Sequence, residues 1–484
     1  MRQWMVAAKK ADFYVIAEKF HVDPVVARII RNREVIGEKN IRIYLGGNLS
    51  DLSDPHQMKD MDRLVEILAQ KIRKQVHIRI IGDYDVDGVT SSHLFLTALR
   101  RVGAKVDVVI PHRIQDGYGL SLHLLQQAKE DGVDTILTCD NGIAAIDEIA
   151  WAKAQKMTVL VTDHHAVPFE EHEGRRTEKK SLADAVVNPH QQDCRYPYKE
   201  LCGAGVAWNV IRVLYENYDM DKREAEDLLD FVAMATVCDV MSLTGENRIL
   251  VKEGLKRIRH TKNIGLQALM QACNVQPENI CAYHFGYVLG PCVNATGRLD
   301  TARHALRLFE TGQETEAEEI ARDLVDLNQE RKELTLQGVE MAKKLCEEGG
   351  YENDPILVLF LPDVHESIAG LIAGRIREMY NRPVFVLTRG EEGVKGSGRS
   401  TENYSMYENM CGCAELFTKF GGHPMAAGLS LPEENVEKFR RKINENCPLT
   451  VEEVCPDIHI DMAMPVGYAS TELVHQFALL EPFG

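Results

Sequence analysis

The chain has 484 residues, and its 56 Lys+Arg against 73 Asp+Glu give a formal charge of −17, with 45% hydrophobic and 27% charged residues. This is the profile of a globular chain of about two to four domains. It excludes a single small domain and an evenly basic coat for nucleic acid, because such coats depend on Lys and Arg neutralising phosphates.

The amino terminus carries Lys9 and Lys10 with no apolar stretch behind them, so no secretory signal is expected. The longest apolar run, Ile356 to Leu361, is strand-sized and far below the about 18 residues of a membrane-spanning helix. A cytoplasmic chain without a membrane partner is expected. The 12 cysteines lack a repeated C-x-x-C spacing and fit reduced thiols. Cys411 and Cys413 form one close pair, which is weak support for zinc.

Taken in chain order, residues 1–75 read as a helical region, with helical apolar spacing in Phe13–Phe20, Val25–Ile30 and Met61–Ile72. From Val76 short β-rich runs alternate with helices: Ile78–Ile81, helix Thr90–Arg101, Val106–Ile110, helix Leu122–Glu130, Thr135–Thr138, helix Ala144–Gln155 and Thr158–Val161. That alternation predicts βαβ units and a parallel sheet. A mostly helical stretch follows from Gly203 to about Asn274, and Glu314–Glu348 reads as a long charged connector helix within 311–350. A second, smaller α/β domain spans 351–450: strand Ile356–Leu361, helix Ser367–Tyr380, strands Pro383–Leu387 and Val394–Arg399, helix Tyr407–Phe420 and strand Leu429–Leu431. Residues 451–484 read as the opening of a further element.

The acidic residues of the first α/β domain fall where chemistry is expected. Gly82-Asp83-Tyr84-Asp85-Val86-Asp87-Gly88, Cys139-Asp140-Asn141-Gly142 and Thr162-Asp163-His164-His165 each end a predicted parallel strand, and Asp239 interrupts an apolar helical run. Ligands bind at the carboxyl edge of an open α/β sheet, so these segments are expected to converge there. Grouped carboxylates repel one another unless a cation lies between them. Oxygen donors with one or two imidazoles and no thiolate suit Mn²⁺ or Mg²⁺, and two such ions about 3.5–4 Å apart serve phosphodiester hydrolysis.

Taken together, D-Y-D-V-D-G, the strand-terminal Asp140, D-H-H and the later Asp239 resemble the DHH phosphoesterase superfamily, and within it the RecJ-like exonucleases. Further matches are Pro111-His112-Arg113, Gly117-Tyr118-Gly119-Leu120, Asn188-Pro189, Gly203-Ala204-Gly205-Val206-Ala207 and Asn294-Ala295-Thr296-Gly297-Arg298-Leu299. The second domain resembles the DHH-associated domain through His365-Glu366-Ser367, Gly396-Ser397-Gly398-Arg399-Ser400 and Gly421-Gly422-His423-Pro424-Met425-Ala426-Ala427-Gly428.

The resemblance implies a parallel-sheet DHH domain over 76–310, joined by the connector helix to a substrate-binding DHH-associated domain, with 451–484 an incomplete OB-like segment. It implies one metal around Asp85 and Asp140 with Asp83 nearby, and a second held by Asp87, Asp140, His164 and Asp239. Asp140 would bridge them, His165 would contact or protonate the scissile phosphate, and Asp163 would orient an imidazole. Arg113 and Arg298 would grip phosphates, Tyr118 would stack a base, and Ser397, Arg399 and His423 would hold the 5′ end.

The implied activity is hydrolysis of single-stranded DNA from 5′ to 3′ into nucleoside 5′-monophosphates, in repair and recombination. A monomer working with a single-strand-binding protein and a helicase is expected. A phosphodiesterase of short oligonucleotides or cyclic dinucleotides is the alternative, and a catalytically silent strand-binding accessory is a third reading. Two departures stand out. Cys292 occupies a position where many relatives carry arginine, which leaves phosphate contact to Arg298 and Arg303. The chain also stops early in the OB-like segment, so that segment is expected to dock loosely and DNA affinity to be reduced.

Overall fold

The computed structural model describes residues 4–7, 9–113, 116–172, 175–351, 353–390, 393–455 and 457–483. Gly484, the last residue of the E-P-F-G ending, lies outside them. The chain divides into two compact units, one of Ala11–Asn328 with Ala469–Gly484, the other of Met1–Lys10 with Gln329–Tyr468. The division falls inside the long helix Glu314–Glu348.

In the larger unit five strands form a sheet in the order Val106–Val109, Ile78–Ile81, Thr135–Cys139, Thr158–Thr162, Ala185–Val187. Every neighbouring pair is parallel. Alternate residues serve different cores. Ile80, Leu137 and Leu160 pack with helices Met61–Arg73, Val86–Arg101 and Gly203–Asn217, whereas Ile81, Ile136, Val159 and Val161 pack with helices Leu122–Glu130 and Ile146–Ala154. A parallel sheet covered on both faces reads as near-continuous apolar runs; here Arg79 and Asp107 interrupt the first two strands and pair with each other, Arg79 Nη2 donating to Asp107 Oδ2 at 2.6 Å.

The structure departs from the sequence reading in several places. Helix Val86–Arg101 begins four residues before the expected Thr90, which places Asp85 at its N-cap and Asp87 in its first turn. Strand Ala185–Val187 and the antiparallel pair Phe169–His172 with Arg175–Glu178 are additional to that reading, whereas helix Glu38–Gly46 falls within the expected helical region. Trp4–Val6, expected within a helical region, is a strand paired in parallel with Ile458–Ile460.

The smaller unit holds a mixed sheet in the order Lys419–His423, Ala426–Leu431, Gly393–Arg399, Val384–Gly390, Leu357–Phe360. The last pair is parallel and the others antiparallel. The expected helix Tyr407–Phe420 is corrected: it ends at Cys411, and Phe420 belongs to the edge strand. Aromatic and glycine-rich K-F-G-G-H favours an extended strand beside Ala426–Leu431 over continued helix.

The expectation of a loosely docked tail is also corrected, for residues 469–483. Arg248, 0% exposed, donates from Nε to the Tyr44 carbonyl at 2.6 Å, from Nη1 to Pro482 at 3.0 Å, and from Nη2 to Leu479 at 3.1 Å and Glu481 at 2.6 Å. Its guanidinium lies 3.8 Å from the centroid of the Tyr44 ring. One buried side chain therefore satisfies the carbonyl end of the tail. Arg248→Ala should lower unfolding stability by on the order of 3 kcal/mol in urea titration, because several buried acceptors lose their donor together, and should speed proteolysis of residues 469–483. An unchanged urea midpoint would contradict this role.

Candidate metal centre and active site

The strand order reverses between Ile78–Ile81 and Thr135–Cys139, and at such a switch point an open α/β sheet leaves a crevice at its carboxyl edge. Asp83, Asp85 and Asp87 follow the first of these strands and Asp140 the second, while Asp163-His164-His165 follow Thr158–Thr162. Asp239 is the C-cap of helix Leu229–Cys238. Asp140 sits at φ 61°, a left-handed conformation that Asp tolerates. The Asn141 amide closes this turn by donating to the Ile81 and Cys139 carbonyls at 3.0 and 2.9 Å.

Three groups of donor atoms lie within 4.8 Å of one another: Asp83, Asp85 and Asp140; Asp87, His164 and Asp239; and Asp140, His164 and His165. His164 Nε2 is 3.1 Å from Asp140 Oδ1, 3.6 Å from Asp239 Oδ2 and 3.7 Å from Asp87 Oδ2. Asp87 is fixed by the amino end of helix Gly203–Asn217, accepting from the N–H of Gly203 at 2.6 Å and of Ala204 at 2.7 Å. At Gly203 a Cβ would lie 2.6 Å from that of Asp140, so only glycine lets this helix end approach the centre.

The buried atoms Asp83 Oδ1 and Oδ2, Asp140 Oδ1 and His164 Nε2 have no hydrogen-bond partner among the described residues. Unpaired buried acceptors are costly, and these converge on one place. Burial and neighbouring carboxylates push Asp83 and Asp140 well above the ordinary range. Burial, with Asp87 and Asp85, pushes Asp239 up to about 8. Burial holds His164 below its ordinary value and therefore available as a neutral ligand. The nearby Cys139 thiol is pushed up to about 12 by burial and offers no thiolate. Carboxylates with imidazole and no thiolate fit hard or borderline divalent cations such as Mn²⁺ or Mg²⁺.

His165 is held differently. Its Nδ1 is 2.8 Å from Asp163 Oδ1, and Asp163 also accepts from the N–H of Ile143, His164 and His165. The Tyr118 hydroxyl is 2.9 Å from the Asp140 carbonyl and 3.1 Å from His165 Nε2. The same hydroxyl is 3.4 Å from Nδ1. Burial opposes a charged imidazolium, but the Asp163 hydrogen bond and the surrounding carboxylates outweigh it and raise His165 to about 9. Asp163, though buried, is kept below its ordinary value chiefly by His165 and the three amides. The Tyr118 hydroxyl is thus engaged as a hydrogen-bonding group, while the residue stays 51% exposed.

Arg113 lies 4.5 Å over the Tyr84 ring, which meets Tyr118 edge-on at 6.3 Å. Gly297 packs on the Tyr84 carbonyl, and Arg298 adds its charge to that of Arg113 near the Tyr84 phenol. The Cys292 position is a packed one: its sulfur meets the Val288 carbonyl at 3.3 Å, Asn328 Nδ2 at 3.4 Å and Cys273 Sγ at 3.7 Å.

In the smaller unit the register aligns Arg399 with Ala426 and Ala426 with His423, and Ser397 with Gly428 and Gly428 with Gly421. Ser397, Arg399 and His423 therefore share one face of the sheet. Helix Ala369–Tyr380 begins against them, and at Gly370 a Cβ would meet Arg399 Nη2 at 2.8 Å.

Sequence reasoning did not single out Tyr84, the Gly203 and Ala204 amides, Asn141, or Asn294, whose Oδ1 accepts from Val86 N–H at 3.2 Å. Their segments were noticed, but no spacing rule carries these roles.

A DHH family N-terminal domain model matches residues 77–236, and a DHHA1 domain model matches residues 353–447. The chain is 36% identical over 440 residues to the single-stranded-DNA-specific exonuclease RecJ of Haemophilus influenzae, covering 87% of this chain and 74% of that protein. It is 33% identical to RecJ of Bacillus subtilis, covering 97% of this chain but only 58% of that relative's length. The solved RecJ of Thermus thermophilus in complex with Mn²⁺ is 27% identical with a TM-score of 0.83, covering all of this chain and 68% of that one. The same protein has also been solved with Mg²⁺. The chain belongs to the RecJ family of single-stranded-DNA-specific exonucleases.

Proposed function

We propose that this chain is a metal-dependent exonuclease that hydrolyses single-stranded DNA from 5′ to 3′, releasing nucleoside 5′-monophosphates. The observation that carries this reading is the convergence of unpaired buried donors from Asp83, Asp140 and His164 within a ring of five carboxylates. The exonuclease names of the relatives and the Mn²⁺ and Mg²⁺ complexes of the Thermus protein support it.

Asp83, Asp85 and Asp140 would hold one ion and Asp87, His164, Asp239 and Asp140 the other. Two divalent ions there supply charge neutralisation of a phosphodiester and activation of water. His165, held through Nδ1 by Asp163, turns its Nε2–H from the Tyr118 hydroxyl to the scissile phosphate and gives that proton to the departing 3′-oxygen, leaving a neutral imidazole. Arg113 and Arg298 bind flanking phosphates. Bidentate Arg399, with Ser397 and His423 on the same sheet face, binds the 5′-terminal phosphate. By family membership we assign the chain to repair and recombination, acting as a cytoplasmic monomer alongside a single-strand-binding protein and a helicase.

With Mn²⁺ and end-labelled strands, a blocked 5′ end should stop degradation while a blocked 3′ end should not; activity confined to fragments of about two to five nucleotides would sink the reading in favour of a small-substrate phosphodiesterase. Asp140→Ala should reduce hydrolysis at least about a thousandfold, since one substitution removes a ligand of both ions; near-parental turnover would refute the assigned centre.

The shifted carboxylates also set a pH dependence. Asp239 rises from an ordinary carboxylate value to about 8 on folding, so the stability it contributes is present at acid pH and is lost as pH rises through 8. In EDTA, the melting temperature should fall between about pH 6 and about pH 8.5, and Mn²⁺ should raise it more at the upper pH, where fewer protons compete. A metal-free melting curve independent of pH would contradict the buried, repelling cluster.

A further inference from the structure

A short aromatic stripe lies on the segment packed against the helix that delivers Asp239, and it has no part in the chemistry above. Tyr283 and Tyr287 are 61% and 72% exposed, and their rings stack with centroids 5.1 Å apart at an interplanar angle of 24°. Tyr287 lies on the π-helical turn Phe285–Leu289, a rare geometry that shifts helical register and recurs at functional sites.

This turn is packed against the end of helix Leu229–Cys238. The Cys238 thiol donates to the Phe285 carbonyl at 3.3 Å, and Gly286 and Gly290 press on Val237 and Cys238. The next residue is Asp239, one of the metal-ligating carboxylates. After it comes Val240, 88% exposed at φ 56°. A β-branched residue in the left-handed region is strained, and its exposure recovers nothing by burial, so an ordinary packing role does not explain it. Downstream, helix Gly290–Leu299 carries Asn294, bonded to the Val86 amide of the metal loop, and Arg298. The segment that carries the stripe is thus packed against the end of the helix that bears Asp239 and leads into the helix bonded to Val86.

We propose that Tyr283 and Tyr287 form a base-stacking platform for the single strand whose end lies at the metal centre. The proposal rests on the exonuclease reading and names a contact that reading does not supply. Its physical logic follows from the charge. A chain of net charge −17 gains little long-range attraction for a polyanion, so a short-range contribution independent of phosphate adds to the local arginine and metal contacts in holding a strand. Stacking on aromatic rings provides it for any base, because every base has a π face.

The test compares the parent with Tyr283→Ala/Tyr287→Ala and Tyr283→Phe/Tyr287→Phe. Fluorescence anisotropy in Ca²⁺ would read binding of an about twelve-nucleotide strand and of the same strand with internal abasic sites. The double alanine variant should bind the intact strand at least about tenfold more weakly and the abasic strand as the parent does, while the double phenylalanine variant should match the parent on both. Unchanged affinity of the alanine variant for the intact strand would overturn the platform, and so would an equal loss on both strands. In either case a parent that still degrades labelled single strands with Mn²⁺ keeps the exonuclease reading intact. A parent that degrades none overturns that reading and the platform with it.

Discussion

Five carboxylates gathered in one largely buried crevice repel one another, and the rest of the larger unit is arranged to keep them there. The reversal of strand order brings Asp83–Asp87 and Asp140 together, the amino end of helix Gly203–Asn217 fixes Asp87, and the apolar helix Leu229–Cys238 delivers Asp239. None of these contacts removes the repulsion: the pKa values of Asp83, Asp140 and Asp239 remain raised. Such a cluster is tolerated in a folded chain when divalent cations complete it, since a cation turns each repulsive pair into two attractive ones.

Beside the acids, the protein separates two imidazoles by environment. His164 is buried with an unpaired nitrogen and stays neutral, which suits a metal ligand. His165, one residue on, is paired with Asp163 and Tyr118 and stays charged. Adjacent residues thus take opposite protonation states, which allows one to bind a cation and the other to meet an anion. Asp163 reaches this role because three backbone amides satisfy it without neutralising it.

The sheet edge was legible in the sequence because each acidic motif directly follows a short apolar run, and period and punctuation together mark a strand end. Helix Val86–Arg101 was read four residues short, since D-V-D-G places a glycine, a poor helix former, in what is the first turn. Strand Ala185–Val187 is only three residues long and carries no periodicity to detect. Helix Tyr407–Phe420 was overextended because apolar spacing alone does not register the change to an edge strand at Lys419–His423. The contacts of Arg248, Tyr118 and the Gly203 amides join residues far apart in the chain, and only the folded structure states them. The Tyr283–Tyr287 stack lies beyond the helical stretch read from Gly203 to about Asn274, and an i,i+4 aromatic pair by itself does not tell an exposed stack from a core contact.

The central claim is that the acidic cluster is a two-ion centre bridged by Asp140. Diffraction from manganese-soaked crystals at the manganese absorption edge tests it most directly. The account predicts two anomalous peaks about 3.5–4 Å apart, one against Asp83 and Asp85, the other against Asp87, His164 and Asp239, with Asp140 touching both. Peaks located away from these side chains, or a crevice without manganese in crystals that bind it elsewhere, would contradict it.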